Sequence, residues 1–283
     1  MTLEALLAAA ERRSEPAWLG TVRTAALADF RKTGLPTRRD ESWKYTPIER
    51  EPGLAFDAAP SVQRTVRADN GVQVADLTSP EAADLVARHL GQVLPAREHP
   101  LAALNGALFD HGLLIRVPAG RHIETPLQLT CDGVAAGTPV QFHTRLLVVV
   151  EAGASATLVE RHGGQGVHFA NHVTEIVLEA GARLSHIKLQ DDPAGAVQID
   201  GQCHHSRCNR GGGIRDVTCG EDIRRTEMLW VIRRSWPGGI GKAWPITSRA
   251  IDGRGPGASS TARIRSSISS NFWIAGRSHF CRW

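Results

Sequence analysis

The sequence predicts a mainly β protein entered through N-terminal helices: a truncated β-solenoid followed by an irregular C-terminal tail. Three observations predict it. Apolar residues recur at helical spacing through much of the first 99 positions, and from about residue 100 they alternate in short β-prone runs. One turn repeats: Val150-Glu151-Ala152-Gly153-Ala154 returns 28 residues later as Leu178-Glu179-Ala180-Gly181-Ala182, and Val117-Pro118-Ala119-Gly120 precedes it by 33. Composition then breaks near residue 201. Residues 1–201 carry 19 basic and 24 acidic side chains, against 14 and 5 in 202–283, and leucine falls from 24 to one, Leu229. The chain divides accordingly into a helical region (1–99), a partial solenoid core (100–201) and a basic tail (202–283).

The helices come first. Leu3, Leu6, Leu7 and Ala10 share one face of a helix over residues 2–13, with Glu4, Glu11 and Arg12 on the other. Ser14 and Pro16 form a natural start for a second helix. Trp18, Val22, Ala26 and Phe30 recur along it every four residues, and Gly34 ends it. This stripe reads as packing between helices. Pro36 and the run Arg38-Arg39-Asp40-Glu41 form a solvated loop, which Trp43 and Tyr45 pack onto the body. Residues 51–75 show little pattern. A third helix is expected over Pro80–Leu94, capped by Ser79.

The strands follow. Leu113, Ile115 and Val117 alternate, Leu127 and Leu129 begin another strand, and Leu146–Val150, Thr157–Val159, Val173–Leu178 and Leu184–Leu189 continue the series. A single coil cannot bury its own inner face, so recurring strand–turn–strand units stack. Glycine at each corner permits a positive φ. An antiparallel sandwich or jelly roll also uses many short strands and remains the alternative.

Charge and composition limit the functional classes. The net charge of +4 and pI near 9.0 suggest an acidic partner such as nucleic acid, but the average conceals a body of −5 and a tail of +9. The N-terminus, MTLEALLAAAERR, lacks the basic start and long apolar stretch of a secretory signal. The longest strongly apolar run, Leu146–Val150, is too short to cross a bilayer. Cys131 is the only cysteine of the first 201 residues, so no disulfide framework exists there and a cytoplasmic location is expected.

Candidate chemistry is sparse, and no catalytic or metal-binding residue is assigned. The body holds His89, His99, His111, His122, His143, His162, His168, His172 and His186. Only His168 and His172 have i, i+4 spacing; on a strand they would share a face, which makes a weak site conceivable. Solvated histidines are the expected reading. Asp191 and Asp192 point to opposite faces or form a turn before Pro193, rather than an acid–base pair. Cys131 has no basic residue near it in sequence and is expected to be buried and inert. Neither a Ser-His-Asp order nor a glycine fingerprint is present.

Several segments resemble the SufB/SufD family of iron–sulfur cluster assembly scaffolds, and its SufD branch in particular. Residues 34–47 (GLPTRRDESWKYTP) are similar to that branch's N-terminal signature, with Pro16-Ala17-Trp18-Leu19 and Phe30 before them. Residues 105–129, 145–160 and 171–190 are similar to the family's core. The resemblance implies a non-enzymatic subunit with a right-handed parallel β-helix, paired with a SufB-like subunit and docked to a SufC-like ATPase. It implies no cofactor held by this chain alone, and a transient iron–sulfur cluster at the level of the complex. The family's later coils, its histidine-bearing segment near the cluster and its ATPase-docking helices are not recognisable past about Asp200, so the chain is expected to be defective.

The tail offers Cys203-His204-His205, Cys208, Cys219 and Cys281, but without the spacing of a metal site. Gly238–Lys242 lacks both the first glycine and the final Ser or Thr of a phosphate loop. Arg-, Ser-, Trp- and Cys-rich, Leu-poor sequence without periodicity fits a coding region read out of frame, and such a peptide is expected to be disordered. Two rival functions are a β-solenoid carbohydrate-active enzyme and an arginine-rich nucleic-acid binder working through the tail. The first requires clustered carboxylates or basic residues on one outer face, which the sequence does not offer. The second predicts steep salt dependence.

Overall fold

The computed structural model describes residues 3–11, 14–40, 43, 48, 52–58, 62–94, 96, 99–135, 137–193, 195–206, 213–216, 222–223, 226–236, 239–240 and 244–251, with the backbone alone from residue 202 onward. Helices α1 (Leu3–Ala10) and α2 (Ala17–Thr33) lie where the apolar spacing places them, and Gly34 ends α2 with φ 66°. The third helix is shorter than expected. A 3-10 turn at Pro80–Ala82 leads into α3 (Ala83–His89), and Leu90 is already extended. Helix α4 (Pro100–Leu108) lies where the sequence suggested only strands. All residues from Leu101 to Leu108 are buried, so no polar face marks the helix in sequence.

The weakly patterned segment holds β1 (Asp57–Ala58), β2 (Val62–Arg67) and β3 (Gln73–Asp76). Then come β4 (His111–Val117), β5 (Leu127–Val134), β6 (Val140–Val150), β7 (Ser155–Gln165), β8 (His168–Leu178), β9 (Arg183–Asp191) and β10 (Val197–Ser206). Successive strands alternate between two sheets. In one, β4, β6, β8 and β10 pair in parallel; in the other, β5, β7 and β9 do. Antiparallel β3 and β2 cover β4 and β5, respectively. Within the segment expected to be an irregular tail, the backbone forms β11 (Gly213–Asp216), β12 (Asp222–Ile223), β13 (Thr226–Trp236), β14 (Gly239–Ile240) and β15 (Trp244–Ile251). Strand β11 extends the second sheet in parallel, and β13 pairs antiparallel with β10. Residues 252–283, with Cys281, lie outside the described residues.

The repeating turn sets the register. Val117 pairs with Val150 and Val150 with Leu178, the same offsets that the sequence repeat shows. Gly120, Gly153 and Gly181 all have φ near +70° at the corners. Corner hydrogen bonds tie the turns together: Gly120 N–H donates to Ala152 O at 2.8 Å, and Gly153 N–H to Ala180 O at 2.9 Å.

The two faces of the first sheet are both covered. On one, Leu114, Leu147, Val149, Phe169, Val173 and Val177 pack beneath α1, α2 and α4, with Trp43 in the same cluster. On the other, Leu113, Ile115, Leu146, Val148 and Ile176 meet Leu127, Leu129, Leu158 and Leu184 of the second sheet. β6 and β8 are therefore buried along their whole length, whereas β5 and β7 alternate. Tyr45, expected to pack beside Trp43, lies outside the described residues.

Candidate functional site

The apolar interior between the sheets gives way to polar residues at one side. Ladder register produces this change. On the second sheet Leu129 aligns with Glu160 and Glu160 with Lys188, while Cys131 aligns with His162. On the first, Thr144 aligns with His172 and His172 with Asp200. Alternation along each strand then turns Cys131, Glu160, His162, Thr144 and His172 toward one cavity. It measures ≈ 20 Å³, room for about one water-sized group.

Cys131, His162 and His172 each bring one possible ligand atom to within 4.8 Å of the others, and all three are buried. The imidazoles of His162 and His172 lie 4.2 Å apart, centroid to centroid, across the space between the sheets. His162 Nε2 lies 3.1 Å from Glu160 Oε2, and His172 Nδ1 shares a hydrogen bond of 2.7 Å with Thr144 Oγ1. His162 Nδ1 is buried and makes no hydrogen bond of normal geometry.

A charged network surrounds this group. Glu160 lies 3.3 Å from both His186 Nε2 and Lys188 Nζ, and Lys188 Nζ donates to Asp200 at 2.7 Å. Burial opposes the charged forms of Glu160 and Lys188, and pairing outweighs it. Burial would raise the Glu160 carboxyl, yet Lys188, His186 and His162 hold it well below the usual range. Burial would lower the His162 imidazole, but Cys131 and Glu160 raise it to about 10. His172 has no such partner: burial, then the positive charges of His162 and Lys188, push it well below its ordinary value. Two adjacent imidazoles are thus driven in opposite directions, His162 toward the charged form and His172 toward the neutral one.

Helix α4 positions the floor of the site. Asn105 Nδ2 donates at 2.9 Å to the carbonyls of Thr144, which shares the His172 hydrogen bond, and of Asn171, which precedes His172 in the chain. Arg145 Nη1 donates to Asn105 Oδ1 at 3.2 Å and forms a buried ion pair with Glu175. Glu175 in turn accepts from the N–H groups of Gly91, Val93 and Leu94.

These positions correct the expected histidine chemistry. His143, His162, His168, His172 and His186 are buried rather than solvated, because β6 and β8 are covered on both faces and β7 and β9 aim these side chains inward. His122 is exposed, as expected. His168 and His172 do share a face, with the Phe142 ring near both. They nevertheless part company: His168 Nε2 lies 3.0 Å from Asp192 Oδ1, while His172 joins Cys131 and His162. Asp191 instead pairs with Arg161, so the two aspartates point apart as read. Cys131 is buried, but it has a basic neighbour in His162 on the next strand. Periodicity of the turns could have placed those residues on one rung, since the register follows the repeat. Side chains of the tail cysteines and of His204 and His205 lie outside the described residues.

Among the described residues no helix is long and apolar enough to cross a membrane. The family profile for "SUF system FeS cluster assembly, SufBD core domain" matches residues 133–229, and that for the "SufBD protein N-terminal region" matches residues 56–129. The core match therefore runs 28 residues past position 201. The chain is similar to the iron–sulfur cluster assembly SufBD family protein slr0076 of Synechocystis, at 27% identity over 58% of this chain and 46% of that protein. It is also similar to a SufBD family protein of Mycobacterium leprae, at 27% over 72% of this chain and 50% of the relative. A third relative, the iron–sulfur cluster assembly protein SufB of Bacillus subtilis, shows 27% identity over 63% of this chain and 38% of its own length. The chain spans about half the length of the curated relatives it matches.

Proposed function

We propose, from the premise that this chain belongs to the SufBD family of iron–sulfur cluster assembly proteins, that it is a SufD-type scaffold subunit with no catalysis of its own. Its strands form a right-handed parallel β-helix. Its partners are a SufB-like subunit and a SufC-like ATPase in the cytoplasm, and the iron–sulfur cluster is cargo held transiently by the complex. ATP binding and hydrolysis on the ATPase rearrange the paired scaffold subunits and expose the cluster-forming ligands between them.

One observation carries this reading: chain-consecutive strands alternate between two parallel stacks, in the register of the turn repeat. That arrangement supports a coil-by-coil scaffold over a sandwich, whose strands would pair antiparallel. The compositional break near residue 201 supports a coding-frame change in the C-terminal third, with a defective product as its consequence; the core-domain match through residue 229 weighs against a change before that position.

Complementation tests the proposal. A bacterium lacking its own SufD-type subunit regains iron–sulfur enzyme activity when it receives the gene with the alternative frame restored after codon 200, and regains little from the chain as it stands. Failure of the restored gene, expressed and soluble, to rescue would overturn the scaffold assignment. Absence of a family-like continuation in any other frame would overturn the frame change.

A further inference from the structure

We infer that Cys131, His162 and His172 form a binding site for one thiophilic divalent cation of the iron(II) or zinc(II) class. This site does not depend on the assembly proposed above, because all three ligands come from this chain.

The donor set is the first argument. One thiolate and two imidazoles suit zinc and iron, and three protein ligands leave a fourth position for water or an incoming sulfur. Convergence is the second. The ligands come from three strands: Cys131 on β5, its register partner His162 on β7, and His172 on β8 of the opposite sheet. The third is the orientation of the rings. In metal sites, the second nitrogen of a ligating histidine is held by a carboxylate or another hydrogen-bonding group. Here Glu160 holds Nε2 of His162 and Thr144 holds Nδ1 of His172, which leaves one nitrogen on each ring. The remaining nitrogen of His162, Nδ1, is buried, makes no hydrogen bond of normal geometry with nitrogen or oxygen, and has the Cys131 thiol as its neighbour.

Charge and space agree. The Glu160 carboxylate supplies negative charge against an added cation. Of the nearby cationic side chains, Arg145 pairs with Glu175, Lys188 with Asp200, and Arg64 with Asp76 at 3.7 Å. A cavity of ≈ 20 Å³ has room for about one small group. A purely structural polar cluster would account for Glu160, His186 and Lys188, which form ion pairs at 3.3 Å. It would not account for a thiol and two imidazoles from three strands converging to within 4.8 Å beside that network.

Cobalt(II) makes the site visible. The full chain is produced in cells fed Co²⁺, so that the buried site loads during folding, and is purified without oxygen. The working form carries Cys203→Ser, Cys208→Ser, Cys219→Ser and Cys281→Ser, which leaves Cys131 as the only thiol. The expected result is one cobalt per chain with a thiolate-to-cobalt charge-transfer band. Adding Thr144→Val, which frees the His172 ring without removing a ligand, weakens cobalt binding by about 10–100-fold. Zinc and iron(II) displace the cobalt and bleach the band. A folded protein without the band overturns the site. If the serine form does not fold, the unaltered chain is compared with Cys131→Ala: loss of the band supports the site, and an unchanged band overturns it.

Discussion

Glu160 and His162 stand two residues apart on β7 and face the same interior, with Glu160 Oε2 3.1 Å from His162 Nε2. One strand thereby supplies both an imidazole and the carboxylate that orients it. The same carboxylate lies within 3.3 Å of His186 and Lys188 on β9, so it joins two adjacent rungs. Replacing it by glutamine leaves His186 and Lys188 buried beside a neutral amide. Glu160→Gln should destabilise the fold by about 3–5 kcal/mol, the range for breaking a buried ion pair. Urea denaturation measures this, and a loss below about 1 kcal/mol would show that the network adds little.

Glu175 makes a comparable junction on the opposite face of the first sheet. It accepts three backbone N–H groups from residues 91–94 and pairs with Arg145. Removing Arg145 leaves a buried carboxylate that still satisfies the loop. Arg145→Met should cost about 3–5 kcal/mol in the same denaturation measurement. Glu175→Ala should also expose the segment after α3 to limited proteolysis, because those N–H groups lose their acceptor.

Close stacking of the coils makes a sharp glycine prediction. A Cβ at Gly164 would lie 2.0 Å from the carbonyl oxygen of Gly133, its register partner on β5. At Gly120 nothing lies within 4 Å, and only the positive φ resists a side chain. Gly164→Ala should cost more than about 4 kcal/mol or abolish soluble protein. Gly120→Ala should cost about 1–2 kcal/mol. Paired thermal melts check the contrast; equal losses would contradict the stacking register.

At the corners, Arg116 Nε donates to Glu151 Oε1 at 2.7 Å, and Ala119 N–H to Oε2 at 3.0 Å. The Arg116 hydrogen bond lowers the Glu151 pKa. A depressed carboxylate pKa stabilises the fold above the unfolded value of about 4.3, and that contribution is lost as pH falls through the carboxylate range. Because the pair is partly exposed, Glu151→Gln should cost no more than about 1 kcal/mol at pH 7. The difference from the unaltered protein should shrink toward zero on acidification below about pH 4. Denaturation midpoints at a series of pH values test the sign.

Much of this fold was legible in the turns. The Glu-Ala-Gly-Ala repeat gave the spacing of the rungs, and the observed register follows it through Val117, Val150 and Leu178. Helix α4 was not legible because burial on every side removes amphipathic contrast. The site was hidden for a related reason. The expected strands began only at Leu146 and Val173, since inward-facing Thr144 and His172 break the apolar run of a buried strand. Cys131 looked isolated because its basic neighbour is distant in sequence and adjacent only through the β5–β7 ladder. Applying the turn repeat to the strands as well would have aligned Thr144 with His172, 28 residues apart.

The proposed role, a scaffold subunit that works by pairing with another, has a direct physical test. Native mass spectrometry of the frame-restored chain, co-produced with the SufB-like subunit and SufC-like ATPase of the same organism, tests it most directly. The expected result is an assembly containing this chain and the SufB-like subunit. Recovery of the folded chain only as a free species, while the other two associate without it, would contradict the account.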